Sequence, residues 1–127
     1  MPEQDVSKWT ILIVDDDAGN LEVASQFLSF MGAQVRTANS ADAGLAELDK
    51  FEPTFILLDL SMPKVDGWEI FKLIRERPKT ASTPIIALTA HAMLGDEEKV
   101  LKAGFNGYIT KPFLLTSFLD DIKRCLG

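Results

Sequence analysis

The sequence predicts an α/β fold, a doubly wound sheet of five parallel strands in the order 2-1-3-4-5, flanked by five helices. Unbroken apolar runs, which are typical of parallel strands buried on both faces, recur along the chain. Segments with helical apolar spacing lie between them, as crossovers between parallel strands require. The chain has 127 residues, about half the length of an eight-stranded barrel, so an open sheet is expected.

The predicted strands follow the apolar runs. Four runs are strongly apolar, and a weaker fifth strand lies between the first and second helices. The strong runs are residues 11–14, 55–58, 85–88 and 108–109, and the weaker strand is Gln34–Ala38.

The first two helices have clear start and stop signals. Gly32 is the expected stop of the first helix, because glycine readily adopts the left-handed conformation that follows many helices. Ser40 is the expected N-cap of the second. The apolar stripes are Leu21, Ala24, Phe27, Leu28 and Met31 in the first helix, and Ala41, Leu45, Leu48 and Phe51 in the second.

The other three helices are predicted in the same way. Asp66 and Glu69 have the spacing of a capping box at the start of the third helix, and Pro78 marks its end. The fourth helix is predicted from about residue 92 to residue 103, with Gly104 after it. The apolar stripes are Ile70, Leu73 and Ile74 in the third helix, and Leu115, Phe118, Leu119, Ile122 and Leu126 in the fifth. Aromatic residues also fall at the spacing of core positions: Trp68 and the phenylalanines at 27, 55, 105 and 118.

Composition favours one domain, residues 10–127, after a short polar arm, residues 1–9, that includes Trp9. The single cysteine, Cys125, is expected to be an inert core thiol. A net charge of −6 argues against nonspecific binding to nucleic acid or anionic membranes. The chain has no apolar run near the roughly 20 residues of a membrane span and no signal region at its start, so a cytoplasmic protein is expected.

Polar residues follow four of the predicted strands. Asp15 and Asp16 end the first strand with Asp17 behind them, and Asp59 ends the third. Thr89 follows the fourth strand, and Lys111 follows the fifth. Because ligands of such sheets bind beyond the carboxyl ends of the strands, these side chains are expected to converge on one site.

Three clustered carboxylates need a cation. Two like charges about 4 Å apart repel by roughly 4 kcal/mol at an effective dielectric constant near 20. Oxygen ligands alone select a hard ion, and a site with few protein ligands suits Mg²⁺ better than Ca²⁺. Thr89 and Lys111 are suited to hold the oxygens of a phosphoryl group. Asp59, at the end of the most apolar strand, is the expected nucleophile, forming an aspartyl phosphate.

These motifs, in this order, resemble the receiver domains of two-component response regulators. The matching segments are residues 11–16, residues 58–63 with Asp66 and Gly67, residues 88–90, and residues 107–113. The resemblance implies that Asp59 accepts a phosphoryl group from a phosphohistidine on a histidine kinase or phosphotransfer protein. It also implies that Asp16 and Asp59 coordinate Mg²⁺ directly, Asp15 through water, and Ser61 through its backbone carbonyl.

The resemblance further implies a switch. Thr89 and Lys111 contact the phosphoryl oxygens, and Tyr108 changes rotamer as Thr89 moves inward. The bond between Lys111 and Pro112 is cis in such proteins, and Pro63 is a rigid element of the loop after Asp59. The downstream protein is expected to bind the face formed by the fourth helix, fifth strand and fifth helix.

Three residues near the site have ordinary interpretations as well. Asp17 is expected to start the first helix. His91 and Ser61 are candidate modulators of aspartyl phosphate hydrolysis, although for His91 a solvent-facing position at a helix start is favoured.

The leading hypothesis is a single-domain response regulator, which catalyses only its own phosphorylation and slow autodephosphorylation. Residues 89–98 resemble receivers of multistep phosphorelays, so a receiver domain of a hybrid histidine kinase is the alternative. A phosphatase of the haloacid dehalogenase type is a remote alternative, because Ser61 stands where that family needs a second acid. A flavodoxin-like cofactor binder would need a phosphate-binding loop after the first strand, where three acids stand instead.

Overall fold

The computed structural model describes residues 5–60, 67–89, 96–110 and 115–126. In these residues, five parallel strands form one sheet in the predicted order β2-β1-β3-β4-β5. The strands are β1 (Thr10–Val14), β2 (Gln34–Ala38), β3 (Phe55–Asp59), β4 (Ile85–Thr89) and β5 (Gly107–Thr110). The helices are α1 (Ala18–Phe30), α2 (Ala41–Leu48), α3 (Gly67–Glu76), α4 (Asp96–Ala103) and α5 (Leu115–Leu126), with 3₁₀ turns at Val6–Lys8 and Pro78–Thr80.

The strand register brings the carboxyl ends to one edge of the sheet. Val14, the last residue of β1, pairs with Ala38 on one side and Leu58 on the other. Asp59 pairs with Leu88. One residue further along, Thr89 pairs with Thr110. The residues at the strand ends therefore share one crevice.

The sheet separates two apolar layers, because successive strand residues point to opposite faces. On one face, β1 contributes Ile11 and Ile13, which pack with α1 and α5. On the other face, β1 contributes Leu12 and Val14, which pack with residues of α2, α3 and α4. Both faces of the central strands are covered, which accounts for their unbroken apolar sequences.

Trp9 extends the core beyond the first strand. Its side chain is completely buried, and its ring lies edge-on to Phe55 with centroids 5.1 Å apart and planes at 88°. The backbone carbonyl of Trp9 accepts a hydrogen bond of 2.9 Å from the N–H of Gln34. The end of the N-terminal arm is thus fixed to β2 and β3 by packing and backbone pairing.

Several predicted helix boundaries are confirmed. The Ser40 hydroxyl accepts a hydrogen bond of 3.1 Å from the Ala43 N–H, as an N-cap does. Gly32 and Gly104 follow α1 and α4 with φ of +108° and +111°, the left-handed conformation that favours glycine. Helix α3 ends at Glu76, ahead of Pro78. Asp66, which the sequence pairs with Glu69 in a predicted capping box, lies outside the described residues.

Three residues of the predicted stripes do not lie on a buried helix face. Met31 is the C-cap of α1 and is 39% exposed, because the chain leaves the helix there. Leu73 is 42% exposed, since α3 turns Phe71 toward the core instead. Phe51 lies beyond α2, which ends at Leu48; Pro53 disfavours helical backbone at the preceding residue.

Within the described part of the chain, no helix combines the length and apolarity that crossing a membrane requires.

Candidate functional site

Two buried acids sit at the ends of neighbouring strands. Asp15 directly follows β1, and its N–H donates a 3.0 Å hydrogen bond to the Ala38 carbonyl, which continues the pairing with β2. Asp59 is the last residue of β3. Each side chain is only 1% exposed. The parallel register places both at the crevice expected to bind ligand.

Asp16 completes an acidic cluster with these two residues. One carboxylate oxygen from each of Asp15, Asp16 and Asp59 lies within 4.8 Å of the others. Asp16 is exposed, so it forms the rim of the cluster above the two buried acids. At 4.8 Å, two unit charges repel by about 3.5 kcal/mol at an effective dielectric constant of about 20. The oxygen donors and their mutual repulsion fit a hard divalent cation.

Asp17 has a different role from its three acidic neighbours. Its side chain accepts a hydrogen bond of 3.1 Å from the Asn20 N–H, so Asp17 is the N-cap of α1. Its own N–H donates a 2.9 Å hydrogen bond to Oδ1 of Asp15. This contact orients the Asp15 carboxylate, and the predicted helix-start role of Asp17 is confirmed.

Thr89 and Tyr108 occupy adjacent strands on one face of the sheet. Thr89 is the last residue of β4 and is buried. Tyr108 is half-buried and pairs with Ala87, two residues before Thr89. Since side chains two residues apart on a strand share a face, Thr89 and Tyr108 both lie on the face of Ala87. This is a suitable arrangement for one side chain to respond to movement of the other.

Three predicted site residues, Ser61, His91 and Lys111, lie outside the described residues, as does the bond before Pro112. The residue before Lys111, Thr110, pairs with Thr89 at the same edge of the sheet as the acidic cluster. The positions of Ser61, His91 and Lys111 in the site stay predictions from the sequence.

The sequence prediction missed a close contact between β5 and α5. A Cβ atom built on Gly107 would lie 2.4 Å from Sγ and 2.8 Å from Cβ of Cys125, so only glycine fits without a shift. The N–H of Tyr108 hydrogen-bonds the Cys125 thiol, and burial raises the pKa of that thiol. The available signal was a glycine directly before the predicted fifth strand, which the structure places as the first residue of β5.

Comparison with known proteins gives a consistent picture. The family model of the response regulator receiver domain matches residues 11–123. The polar-differentiation response regulator DivK of Brucella anthropi is 34% identical over 122 residues, covering 93% of this chain and 96% of DivK. The signal transduction histidine-protein kinase BarA of Escherichia coli is 37% identical over 114 residues, covering 88% of this chain but 12% of the kinase.

A solved structure agrees with the fold. The chemotaxis protein CheY4 of Vibrio cholerae superposes with a TM-score of 0.85 at 28% identity, covering 92% of this chain and 98% of CheY4.

Proposed function

Since the chain belongs to the response regulator receiver domains, a family of signalling domains rather than classical enzymes, we propose that Asp59 accepts a phosphoryl group from a phosphohistidine. The donor is a histidine kinase or a histidine phosphotransfer protein. The observation that carries the proposal is the cluster of three carboxylates at the strand ends, two of them buried. Burying two mutually repulsive carboxylates is costly, and a bound cation would offset that cost.

The cation is Mg²⁺. Asp16 and Asp59 would hold it directly, Asp15 through water, and Ser61 through its backbone carbonyl. When bound, it neutralises the carboxylates and draws charge from the phosphoryl oxygens.

Asp59 is the nucleophile because it ends the central strand in the middle of the crevice. One of its carboxylate oxygens attacks the phosphorus atom while the P–N bond of the phosphohistidine breaks. The bonding electrons go to the imidazole, which takes up a proton. The Thr89 hydroxyl and the Lys111 ammonium hold the phosphoryl oxygens during transfer. Water later hydrolyses the acyl phosphate in slow autodephosphorylation, for which Ser61 and His91 are candidate modulators.

Phosphorylation changes a surface that binds another protein. Thr89 moves toward the phosphoryl oxygens, and Tyr108 follows into the space left behind. Tyr108 also lines a groove of about 480 Å³ between α4, β5 and α5, together with Leu101, Arg124 and Cys125. This groove gives the downstream partner a concave surface that contains the switch residue itself.

The acidic balance of the chain supports a protein partner rather than nucleic acid or an anionic membrane. The match to the receiver domain family supports a cytoplasmic location. The match to DivK covers 96% of that protein, which supports a single-domain regulator over the alternative of a hybrid-kinase receiver domain. Ser61, in place of a second acid, argues against a haloacid dehalogenase phosphatase.

Incubation with phosphoramidate and Mg²⁺, followed by intact mass spectrometry, tests the proposal. The wild-type chain is expected to gain one phosphoryl group, and Asp59→Asn none. Asp49→Asn is the matched control, because Asp49 is an exposed acid paired with Arg77 at 2.8 Å. A wild-type chain that stays unmodified would refute the proposal. Repeated turnover of a small phosphomonoester would support the phosphatase instead.

A further inference from the structure

Asp17 links the first helix to the acidic cluster. Its backbone N–H donates a hydrogen bond of 2.9 Å to Oδ1 of Asp15, whose side chain is only 1% exposed. Hydrogen bonds to an ionised carboxylate are shorter and stronger than those between neutral groups. This donor therefore restricts the orientation of the buried Asp15 carboxylate.

The N-cap of α1 holds the donor in place. The Asp17 side chain accepts a 3.1 Å hydrogen bond from the Asn20 N–H, and the Asp17 carbonyl accepts one of 3.0 Å from the Leu21 N–H. Gly19 leaves room for the cap, because a Cβ atom there would lie 3.3 Å from Oδ1 of Asp17. Residue 17 is thus fixed to the first turn of the helix at two points and to Asp15 at a third.

We propose that Asp17 is a positioning residue for the cation site, which acts through Asp15 and does not bind the cation itself. The cap of α1 keeps the Asp17 N–H on the Asp15 carboxylate, and this contact keeps that carboxylate beside the other two acids of the cluster. The inference rests on the proposed function, because the cation that the cluster would bind is the Mg²⁺ used in phosphoryl transfer.

Electrostatic repulsion is the reason that the Asp15 carboxylate needs a positioning contact. One oxygen of Asp15 lies within 4.8 Å of an oxygen of Asp16 and of an oxygen of Asp59. Without a cation, like charges at this distance favour rotation of the carboxylates away from one another. The Asp17 N–H opposes that rotation at Asp15, so the cluster is already arranged when a cation arrives, and binding loses less free energy to reorganisation.

A backbone N–H suits this task better than a basic side chain. It stabilises the negative charge of Asp15 with a partial positive charge, as the amino-terminal end of a helix does for nearby carboxylates. A Lys or Arg side chain would bring a full positive charge, which would repel the cation. Any residue except proline supplies this N–H, so the contribution of the Asp17 side chain is the cap.

Isothermal titration calorimetry of the whole chain with Mg²⁺ tests this proposal. Asp17→Ala removes the cap, whereas Asp17→Asn removes the same charge and keeps the cap, since asparagine caps helices about as well as aspartate. Because Asp15 would act through water, we expect the dissociation constant of Asp17→Ala to rise about tenfold, the lower end of the effect of losing a partner that orients a metal ligand. That of Asp17→Asn is expected to stay within about twofold of wild type, since the exposed charge at residue 17 is screened by salt.

Ser40→Ala is the matched control for the loss of a helix cap. It removes the N-cap of α2, which accepts a hydrogen bond of 3.1 Å from the Ala43 N–H, and its affinity for Mg²⁺ is expected to equal that of wild type. If Asp17→Ala bound Mg²⁺ as tightly as Asp17→Asn, or Ser40→Ala bound it as weakly as Asp17→Ala, this inference would be overturned and the proposed function would stand. A wild type that binds no Mg²⁺ would overturn both.

Hydrogen exchange in EDTA, measured by NMR, follows the positioning contact without the cation. The protection of the residue 17 amide, relative to its rate in the unfolded chain, is expected to be similar in wild type and Asp17→Asn. In Asp17→Ala it is expected to fall by about tenfold or more, because the first turn of α1 then opens more often. Equal protection in all three proteins would show that the N–H stays on Asp15 without the cap, which contradicts the inference.

Discussion

Replacing Asp59 by asparagine is expected to stabilise the metal-free protein. Asp15 and Asp59 are both buried, and their carboxylate oxygens lie within 4.8 Å of each other. At that distance the repulsion is about 3.5 kcal/mol at an effective dielectric constant of about 20. Asparagine keeps the shape and removes the charge. After other polar contacts of Asp59 are lost, we expect the free energy of unfolding in EDTA to rise by about 1–2 kcal/mol.

Magnesium should reverse this order. A ligand that binds only the folded state stabilises it by RT ln(1 + [L]/Kd), about 2.7 kcal/mol at one hundred times Kd, which exceeds the advantage of about 1–2 kcal/mol of Asp59→Asn. The wild type is expected to gain this stabilisation. Asp59→Asn is expected to gain little of it, because the variant lacks one of the carboxylates that would bind the cation directly. The effect of the substitution thus depends on the cation.

Urea unfolding in EDTA and in saturating Mg²⁺ measures both quantities. Asp17→Asn is the matched control: it removes a neighbouring negative charge but keeps the N-cap, since asparagine caps helices about as well as aspartate. Its stability is expected to change by no more than about 0.5 kcal/mol in either buffer. If Asp59→Asn proved less stable than wild type in EDTA, and Mg²⁺ stabilised both equally, the carboxylates would not form a cation site.

Three further predictions concern packing. Trp9→Ala is expected to lower the free energy of unfolding by about 3–5 kcal/mol, because it leaves a cavity against Phe55. Urea unfolding measures this loss, and a loss of less than about 1 kcal/mol would contradict the burial of Trp9. Gly107→Ala is expected to destabilise by at least about 2 kcal/mol, since the new Cβ meets both Sγ and Cβ of Cys125. Thermal unfolding is expected to show rescue by Cys125→Ala, which removes the contact with Sγ but keeps the 2.8 Å contact with Cβ; the absence of any rescue would contradict this packing. The Cys125 thiol is expected to react slowly with a disulfide reagent near neutral pH and faster as the pH rises, because burial raises its pKa and only the thiolate reacts. Equal reaction rates for the folded and the urea-unfolded chain would contradict the raised pKa of the thiol.

The strand order and the acidic cluster could be predicted because local signals determine them. The apolar runs before Asp15 and Asp59 are long enough to identify buried parallel strands, and parallel register brings their ends together. The caps at Asp17, Ser40 and Gly32 are equally local, since each depends on residues within one turn.

The misassigned helix residues and the missed contact depend on distant parts of the chain. Phe71 is buried rather than Leu73 because Phe105 stacks on it, with ring centroids 4.0 Å apart. The approach of Cys125 to Gly107 joins α5 to β5 across 18 residues of sequence. Spacing within one helix contains no information on either partner.

The location of the phosphoryl group tests the central claim most directly. After incubation with phosphoramidate and Mg²⁺, borohydride reduction converts an aspartyl phosphate to homoserine, which peptide mass spectrometry can locate. Reduction is expected at Asp59 and at no other acidic residue. Reduction at Asp15 or Asp16, or a phosphoryl group on His91 with Asp59 unmodified, would contradict the assignment of Asp59 as the acceptor.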